Sequence, residues 1–206
     1  MRKRIDERSA LENFAESRLP PFTQTEIDNL KGSADFLGLN HYFTGLGSNF
    51  EFPISDPPTY FKDHGVQILP LLNWKPNPDT VPWGFYKMLK WVAKEYNNPL
   101  VYVTETGYGD SGQEGLLDTD RLVFLQEFLK ALLQAVKEGC NIQKYTIWSL
   151  MDNWEWLRGY TIKFGLYKVD FSSPNRTRTP KASAHYYKYA IKTGTVPNWT
   201  DFLLNN

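Results

Sequence analysis

The stretch Leu100-Val-Tyr-Val-Thr-Glu-Thr-Gly-Tyr-Gly109 decides how this chain is read. It is an apolar, β-branched run that stops at a glycine-rich turn and carries one carboxylate, Glu105, where the run ends. Glu is depleted in strands, and an unpaired buried carboxylate is expensive, so strand filler is a poor account of it. The pattern recurs on both sides. Asp35-Phe-Leu-Gly-Leu-Asn40 runs into His41-Tyr42, and Tyr145-Thr-Ile-Trp-Ser-Leu150 breaks into Met151-Asp-Asn-Trp-Glu-Trp156 before Gly159. Three apolar strands that each release polar and aromatic residues at their C-terminal ends predict the catalytic face of a β/α barrel.

Between these runs the period changes from two to 3.6. Pro82 suits a first helical turn, and Phe85, Met88, Leu89, Val92 and Tyr96 then fall on one face. Asp118 or Thr119 is placed to cap a long helix whose stripe is Leu122, Leu125, Phe128, Leu129, Leu132, Leu133 and Val136, with Gly139 as its stop. A third helix follows Thr179-Pro180 and runs to Gly194. Residues 1–34 read as a lead-in with a short helix, capped by Thr23 or Thr25, through Leu30. Residues 45–80, rich in proline and aromatics, read as a long loop over the barrel mouth. The order strand, loop, helix, strand, helix, strand, loop, helix implies an α/β fold with a parallel sheet. Three such strands do not close a barrel, and their edges would invite pairing. The expectation is a single partial barrel domain whose last three β/α units occupy residues 35–206.

Composition narrows the function classes. The 206 residues carry no net charge and no basic run beyond Arg2-Lys-Arg4, which speaks against nucleic acid and anionic membranes as partners. No apolar stretch reaches membrane-spanning length, and the N-terminus is charged where a signal peptide has an apolar core, so the compartment is left open. The lone Cys140 excludes an internal disulfide. The sequons at Asn175 and Asn198 matter only in a secretory pathway. Aromatic residues at 16% suit a site where flat rings meet flat ligands, against the plainer reading of a Trp-rich core. Three acidic positions stand out. Glu155, between Trp154 and Trp156, is either a surface-loop residue or part of a carbohydrate cradle, and Asp152 reads as a loop-capping residue. Glu105 reads as more than a solvated residue, because the strand before it is apolar and the turn after it tight.

These residues also carry a resemblance. Val103-Thr-Glu-Thr-Gly107 resembles the nucleophile motif of glycoside hydrolase family 1, and Trp148-Ser-Leu-Met-Asp-Asn-Trp-Glu-Trp156 with Gly159-Tyr160 and Phe164-Gly165 resembles its sugar-binding loop. Ser17-Arg-Leu-Pro20, Asp35–Tyr42, Pro82-Trp83-Gly84 and Pro180-Lys181-Ala182-Ser183 match in the same order. The resemblance implies strands six to eight of a (β/α)8 TIM barrel and a β-glucosidase-like retaining enzyme. It implies Glu105 as nucleophile and Tyr42 as the phenol that orients it. Asn40, Trp148, Glu155, Trp156 and Phe164 would bind the β-glucoside, and no cofactor or metal is implied. Thr106 stands where the family has Asn. The Asn-Glu-Pro segment that carries the family's acid/base is absent, and retaining chemistry needs a second carboxyl about 5 Å from the first. The expectation is therefore a C-terminal portion that is inactive alone and completed by an N-terminal half. The competing expectations are a diverged sugar- or protein-binding relative and a thioglucosidase.

Overall fold

A computed structural model describes residues 2–54, 57–69 and 81–205. In chain order the elements are helices α1 (Arg2–Leu11) and α2 (Gln24–Leu30), strands β1 (Leu37–Asn40) and β2 (Leu46–Asn49), helix α3 (Tyr60–His64) and strand β3 (Val66–Leu69). Helix α4 (Pro82–Glu95), strand β4 (Val101–Glu105), helix α5 (Thr119–Lys137) and strand β5 (Ile142–Tyr145) follow. Strands β6 (Tyr167–Val169) and β7 (Arg178–Pro180) and helices α6 (Ala182–Thr193) and α7 (Trp199–Asn205) complete the chain. The chain packs as two compact units, residues 1–35 with 45–73, and residues 36–44 with 74–206.

The first unit is held by charge more than by apolar burial. Among its described residues the side chains taken fully from water include Arg8 and Ser9. Arg8 reaches Glu12 Oε1 at 3.0 Å one turn on and donates to the Phe52 carbonyl at 3.0 Å. Arg18 bridges Glu12 Oε2 at 2.7 Å and both oxygens of Asp63. Those guanidinium contacts hold Asp63 below the usual carboxylate range. Thr23 caps α2 through a reciprocal box with Glu26, as its spacing predicts. The expected loop over 45–80 needs correcting: its described part forms the antiparallel pair β2–β3 around α3. These strands are four residues long and solvent-facing, so no apolar alternation announces them. Pro70, Pro76 and Pro78 lie outside the described residues. Helix α1 also replaces part of the expected lead-in; its residues have no apolar stripe, and ion pairs do the anchoring.

The second unit carries the parallel sheet β1-β4-β5, with β4 at its centre. Period-two alternation splits the sheet into two faces. Val101 and Val103, with Leu39, Ile142 and Tyr145, pack against Phe85, Leu89 and Val92 of α4, Leu122, Leu125 and Phe128 of α5, and Tyr186 of α6. Phe124 stacks on Phe128 with centroids 4.1 Å apart, and Phe85 adds a third ring at 5.2 Å. Each such buried side chain contributes roughly 1.5–3 kcal/mol of transfer free energy. On the other face Tyr102 is met by the Phe36 ring at 4.2 Å and by Lys144 Nζ at 4.3 Å.

Two further expectations are corrected here. The last strand of the parallel sheet is Ile142–Tyr145, not Tyr145–Leu150. Gln143 and Lys144 make the true strand look polar, while the apolar run beyond it is irregular chain in which Ile147 is buried and Leu150 is exposed. The stripe of α5 includes Phe124, Ala131 and Ala135, whereas Leu133, Val136 and, on α4's C-terminal side, Tyr96 face solvent. Asp118 occupies the N-cap position of α5 without capping it. Its carboxylate accepts from Ser183 N at 3.0 Å, Ser183 Oγ at 2.5 Å and Arg121 Nε at 2.9 Å, tying the start of α5 to the start of α6. Gly139 ends α5 at φ 91°, where a side chain would be strained. No helix among the described residues is long and apolar enough to cross a membrane.

Candidate active site

The site forms where β1, β4 and β5 release their chains. Glu105 is the last residue of β4, and its carbonyl accepts from His41 N at 2.9 Å, which carries the β1 exit alongside it. That bond places Tyr42 over the strand end, with its hydroxyl 2.5 Å from Glu105 Oε2. Partial burial, then the bond to Glu105, push the Tyr42 phenol far above its ordinary value, so it stays protonated and donates. The Phe164 ring meets Tyr42 edge-on at 5.9 Å. Asn40 pairs in register with Glu105, and its Oδ1 accepts from Thr104 Oγ1 at 2.6 Å.

Beyond Glu105 the backbone is clamped. Thr106 N donates to the Thr146 carbonyl at 3.2 Å, and Trp148 N donates to the Thr106 carbonyl at 2.6 Å. A Cβ on Gly107 would collide with the Trp148 carbonyl oxygen, so glycine is what permits this approach. Thr106 itself is fully buried, and its Oγ1 donates to the Tyr145 hydroxyl at 2.6 Å. The Trp148–Ser149 peptide is cis. Ser149 is fixed by bonds to and from Phe164 and Leu166, at 3.0 and 2.9 Å.

The loop after Trp148 returns a second carboxylate to the first. Trp148 Nε1 donates to Glu155 Oε1 at 3.1 Å, and Glu155, only 8% exposed, closes a short turn by donating its N–H to the Gly159 carbonyl at 2.7 Å. That closure carries Trp156 at φ 47°, a left-handed conformation that non-glycine residues seldom adopt. Trp156 is 78% exposed, with Trp154 tilted against it at 5.7 Å. Asp152 faces inward instead. Its oxygens accept from Gly165 N at 3.0 Å, Val169 N at 3.3 Å and Lys181 Nζ at 3.1 Å, so it organises the loop.

These residues enclose a cleft of about 450 Å³, within the size range of small-molecule sites. Of the residues singled out in the sequence, Tyr42, Glu105, Trp148, Glu155, Trp156 and Phe164 all line it, while Asn40 lies beside it, bonded to Thr104. The sequence reading missed Leu157, Arg158 and Ile162, which also line it. Only their distance along the chain from Glu155 could have flagged them.

A buried guanidinium, also missed, fixes the walls. Arg121 on α5 donates to the Tyr108 carbonyl, to Asp110, to Asp118 at 2.9 Å and to the Lys163 carbonyl at 3.0 Å. It thereby ties the loop after β4 to the segment that carries Phe164. Chemically the cleft offers a carboxylate held by a phenol, an indole paired with a second carboxylate, and aromatic faces.

Residues 1–195 match Glycosyl hydrolase family 1. Myrosinase 1 of Brevicoryne brassicae is 44% identical over 201 residues, covering 94% of this chain and 42% of that protein. Beta-glucosidase 10 of Arabidopsis thaliana is 40% identical over 188 residues, covering 87% of this chain and 36% of that protein. Among solved structures, aphid myrosinase superposes with a TM-score of 0.83 at 43% identity, over 95% of this chain and 42% of that one. The chain thus spans about two fifths of the length of these relatives. With a match that runs through the three strand exits and the tryptophan-rich loop between Trp148 and Trp156, the chain belongs to glycosyl hydrolase family 1.

Proposed function

We propose that this chain supplies the nucleophile and the sugar-binding wall of a retaining β-glycosidase acting on β-glucosides. Glu105 attacks the anomeric carbon and forms the glycosyl-enzyme. Tyr42 holds the carboxylate aimed, Trp148 floors the sugar site, Glu155 and Trp156 take its hydroxyls, Phe164 closes the edge, and Asn40 supports the same end. β1, β4 and β5 are the sixth, seventh and eighth strands of a (β/α)8 barrel. The proton donor comes from outside residues 1–206, in an N-terminal portion that completes the barrel, and the chain alone does not turn over substrate.

The observation that carries this reading is the 2.5 Å bond from Tyr42 to Glu105 at the wall of a cleft whose other carboxylate is already engaged by Trp148. A phenol donor favours the ionised carboxylate that nucleophilic attack requires, whereas the indole-bound Glu155 suits hydroxyl recognition. The name of the Arabidopsis relative, a beta-glucosidase, carries the substrate class.

The test uses the complete protein that contains this chain, treated with a 2-deoxy-2-fluoroglucoside bearing an activated leaving group. The fluorine slows both steps, and the leaving group lets the first proceed, so the adduct accumulates for peptide mass spectrometry. The expected adduct is on Glu105 and is lost in Glu105→Gln. Glu155→Gln should weaken recognition and leave the labelled residue unchanged. An adduct on Glu155, or anywhere in residues 151–160, overturns the role assignments.

A further inference from the structure

A second groove, of about 410 Å³, lies between α6 and α7 and, among the described residues, shares none of its lining with the cleft. That volume is within the range of small-molecule sites. Its floor is apolar: Phe202 of α7 is buried, with the rings of Tyr186 and Tyr189 edge-on to it at 5.3 and 5.5 Å, and Leu203 continues the lining. Its walls are fixed. The Tyr186 hydroxyl donates to the Pro197 carbonyl at 2.7 Å, tying α6 to the turn that enters α7, and Trp199 N donates to Gln126 Oε1 at 2.7 Å, pinning the start of α7 to α5. The rim carries charge of one sign. Lys188 and Lys192 line the groove with His185, and no acid lines it among the described residues. Both lysines are exposed, and neither ammonium has an ion pair or hydrogen bond among the described residues. They also border a recess of apolar residues around Tyr187 and Ile191, again without an acid among the described residues. The chain balances 23 basic against 23 acidic residues, so two unpaired lysines over an apolar floor are a local arrangement.

Lys188 and Lys192 stand four residues apart on one helix face, so their side chains start about 5–6 Å apart and both can close on one group. A carboxylate brings a single charge to such a pair. A phosphate monoester brings nearly two, with three strong acceptor oxygens, which matches two point-charge donors on flexible stems. An apolar substituent on that phosphate would leave water for the Phe202 floor. We propose that the α6–α7 groove binds a phosphate monoester carried on a short alkyl or aryl group. Lys188 and Lys192 hold the phosphate, while Phe202, Leu203 and Tyr189 lie under the apolar part. The site is separate from the sugar cleft and does not rest on how that cleft is read.

The test is calorimetric binding of hexyl phosphate to the complete protein that contains this chain, with 1-hexanol and inorganic phosphate as its two halves. Hexyl phosphate should bind, and each half alone should bind about 10-fold or more weakly, because each forfeits either the apolar contact or the charge. Lys188→Gln and Lys192→Gln should each weaken hexyl phosphate about 5-fold, the effect of one exposed ion pair. Leu203→Gln should weaken hexyl phosphate and leave inorganic phosphate unchanged. Melting temperatures check that the three variants fold. Affinity that survives in the Lys188→Gln, Lys192→Gln double variant overturns the assignment, as does failure of hexyl phosphate to bind. Inorganic phosphate binding as tightly as hexyl phosphate would show a plain anion patch and overturn it too. Binding to phosphatidate vesicles without affinity for hexyl phosphate would make the groove a membrane face, which equally overturns it.

Discussion

The Tyr42 hydroxyl and Glu105 Oε2 lie 2.5 Å apart because two hydrogen-bonded parallel strands end together and His41 N bonds to the carbonyl of Glu105 itself. The pair is therefore set by backbone register, and Tyr42→Phe removes only the donor. A hydrogen bond to a charged group contributes about 1.5–3 kcal/mol, so covalent labelling of Glu105 in the complete protein should slow roughly 10- to 150-fold. The melting temperature should move little. Labelling at the wild-type rate would mean that the phenol does not orient the carboxylate.

The neighbour of that pair governs acid stability. His41 is buried against Phe85 and Phe128, with ring centroids 5.1 and 5.8 Å away, and its Nδ1 has no partner among the described residues. Burial lowers its pKa from 6.5 to about 4. The folded protein thus binds fewer protons than the unfolded chain across that window, so stability rises with pH through it and falls as pH drops from about 6.5 to about 4. This one group should remove up to about 3 kcal/mol over that range. Denaturant midpoints measured at pH 7 and pH 4.5 should show the loss, and His41→Gln should shrink it. An acid loss of the same size in the variant would assign it elsewhere.

How far the sequence carried this reading depends on which interactions hold each part. The parallel sheet, the amphipathic α4 and α5 and a threonine cap at Thr23 or Thr25 were legible because element alternation, periodicity and local hydrogen bonding create them. Tyr42, Trp148, Trp156 and Phe164 were reached through the family motifs they match, whereas Glu105 and Glu155 also stand out by position, at the end of an apolar run and between two tryptophans. Helix α1 was not, since Arg8 is buried by partners as distant as Phe52 and Asp63. β5 was misplaced because Lys144 lies over the Tyr102 ring, a favourable place for a cation that hydrophobic pattern cannot see. Arg121 was hidden for the same reason, being a charged residue inside an apolar stripe.

That buried guanidinium should be among the most sensitive positions in the chain. Arg121→Met keeps the volume of the side chain but leaves Asp118, 1% exposed, and Asp110 without their cation, and frees the Tyr108 and Lys163 carbonyls. Breaking a buried pair from one side costs about 3–5 kcal/mol. Urea denaturation of the complete protein should show a loss of that order, and Asp110→Asn, which keeps the Asp118 contact, should lose less. A near-neutral Arg121→Met would show that the walls of the cleft stand without the tie.

The position after the nucleophile supplies the last prediction. Thr106 stands where the family motif has Asn, and it is fully buried with its Oγ1 2.6 Å from the Tyr145 hydroxyl. Tyr145 is half-buried, and the desolvation of its phenol raises it far above the ordinary range and keeps it neutral. Two hydroxyls that satisfy each other in the interior make a matched pair. Removing one strands the other, at about 1–3 kcal/mol, whereas removing both with shape retained can be nearly neutral. Thr106→Val and Tyr145→Phe should each destabilise by that amount, and the double variant should lose less than their sum, with a coupling of about 1 kcal/mol. Thr106→Asn, although it restores the family residue, should also destabilise, because a larger amide must fit a position that is fully buried. Denaturant unfolding of the four variants decides it: strictly additive losses, or an Asn variant more stable than the wild type, would show that Thr106 and Tyr145 are not a pair.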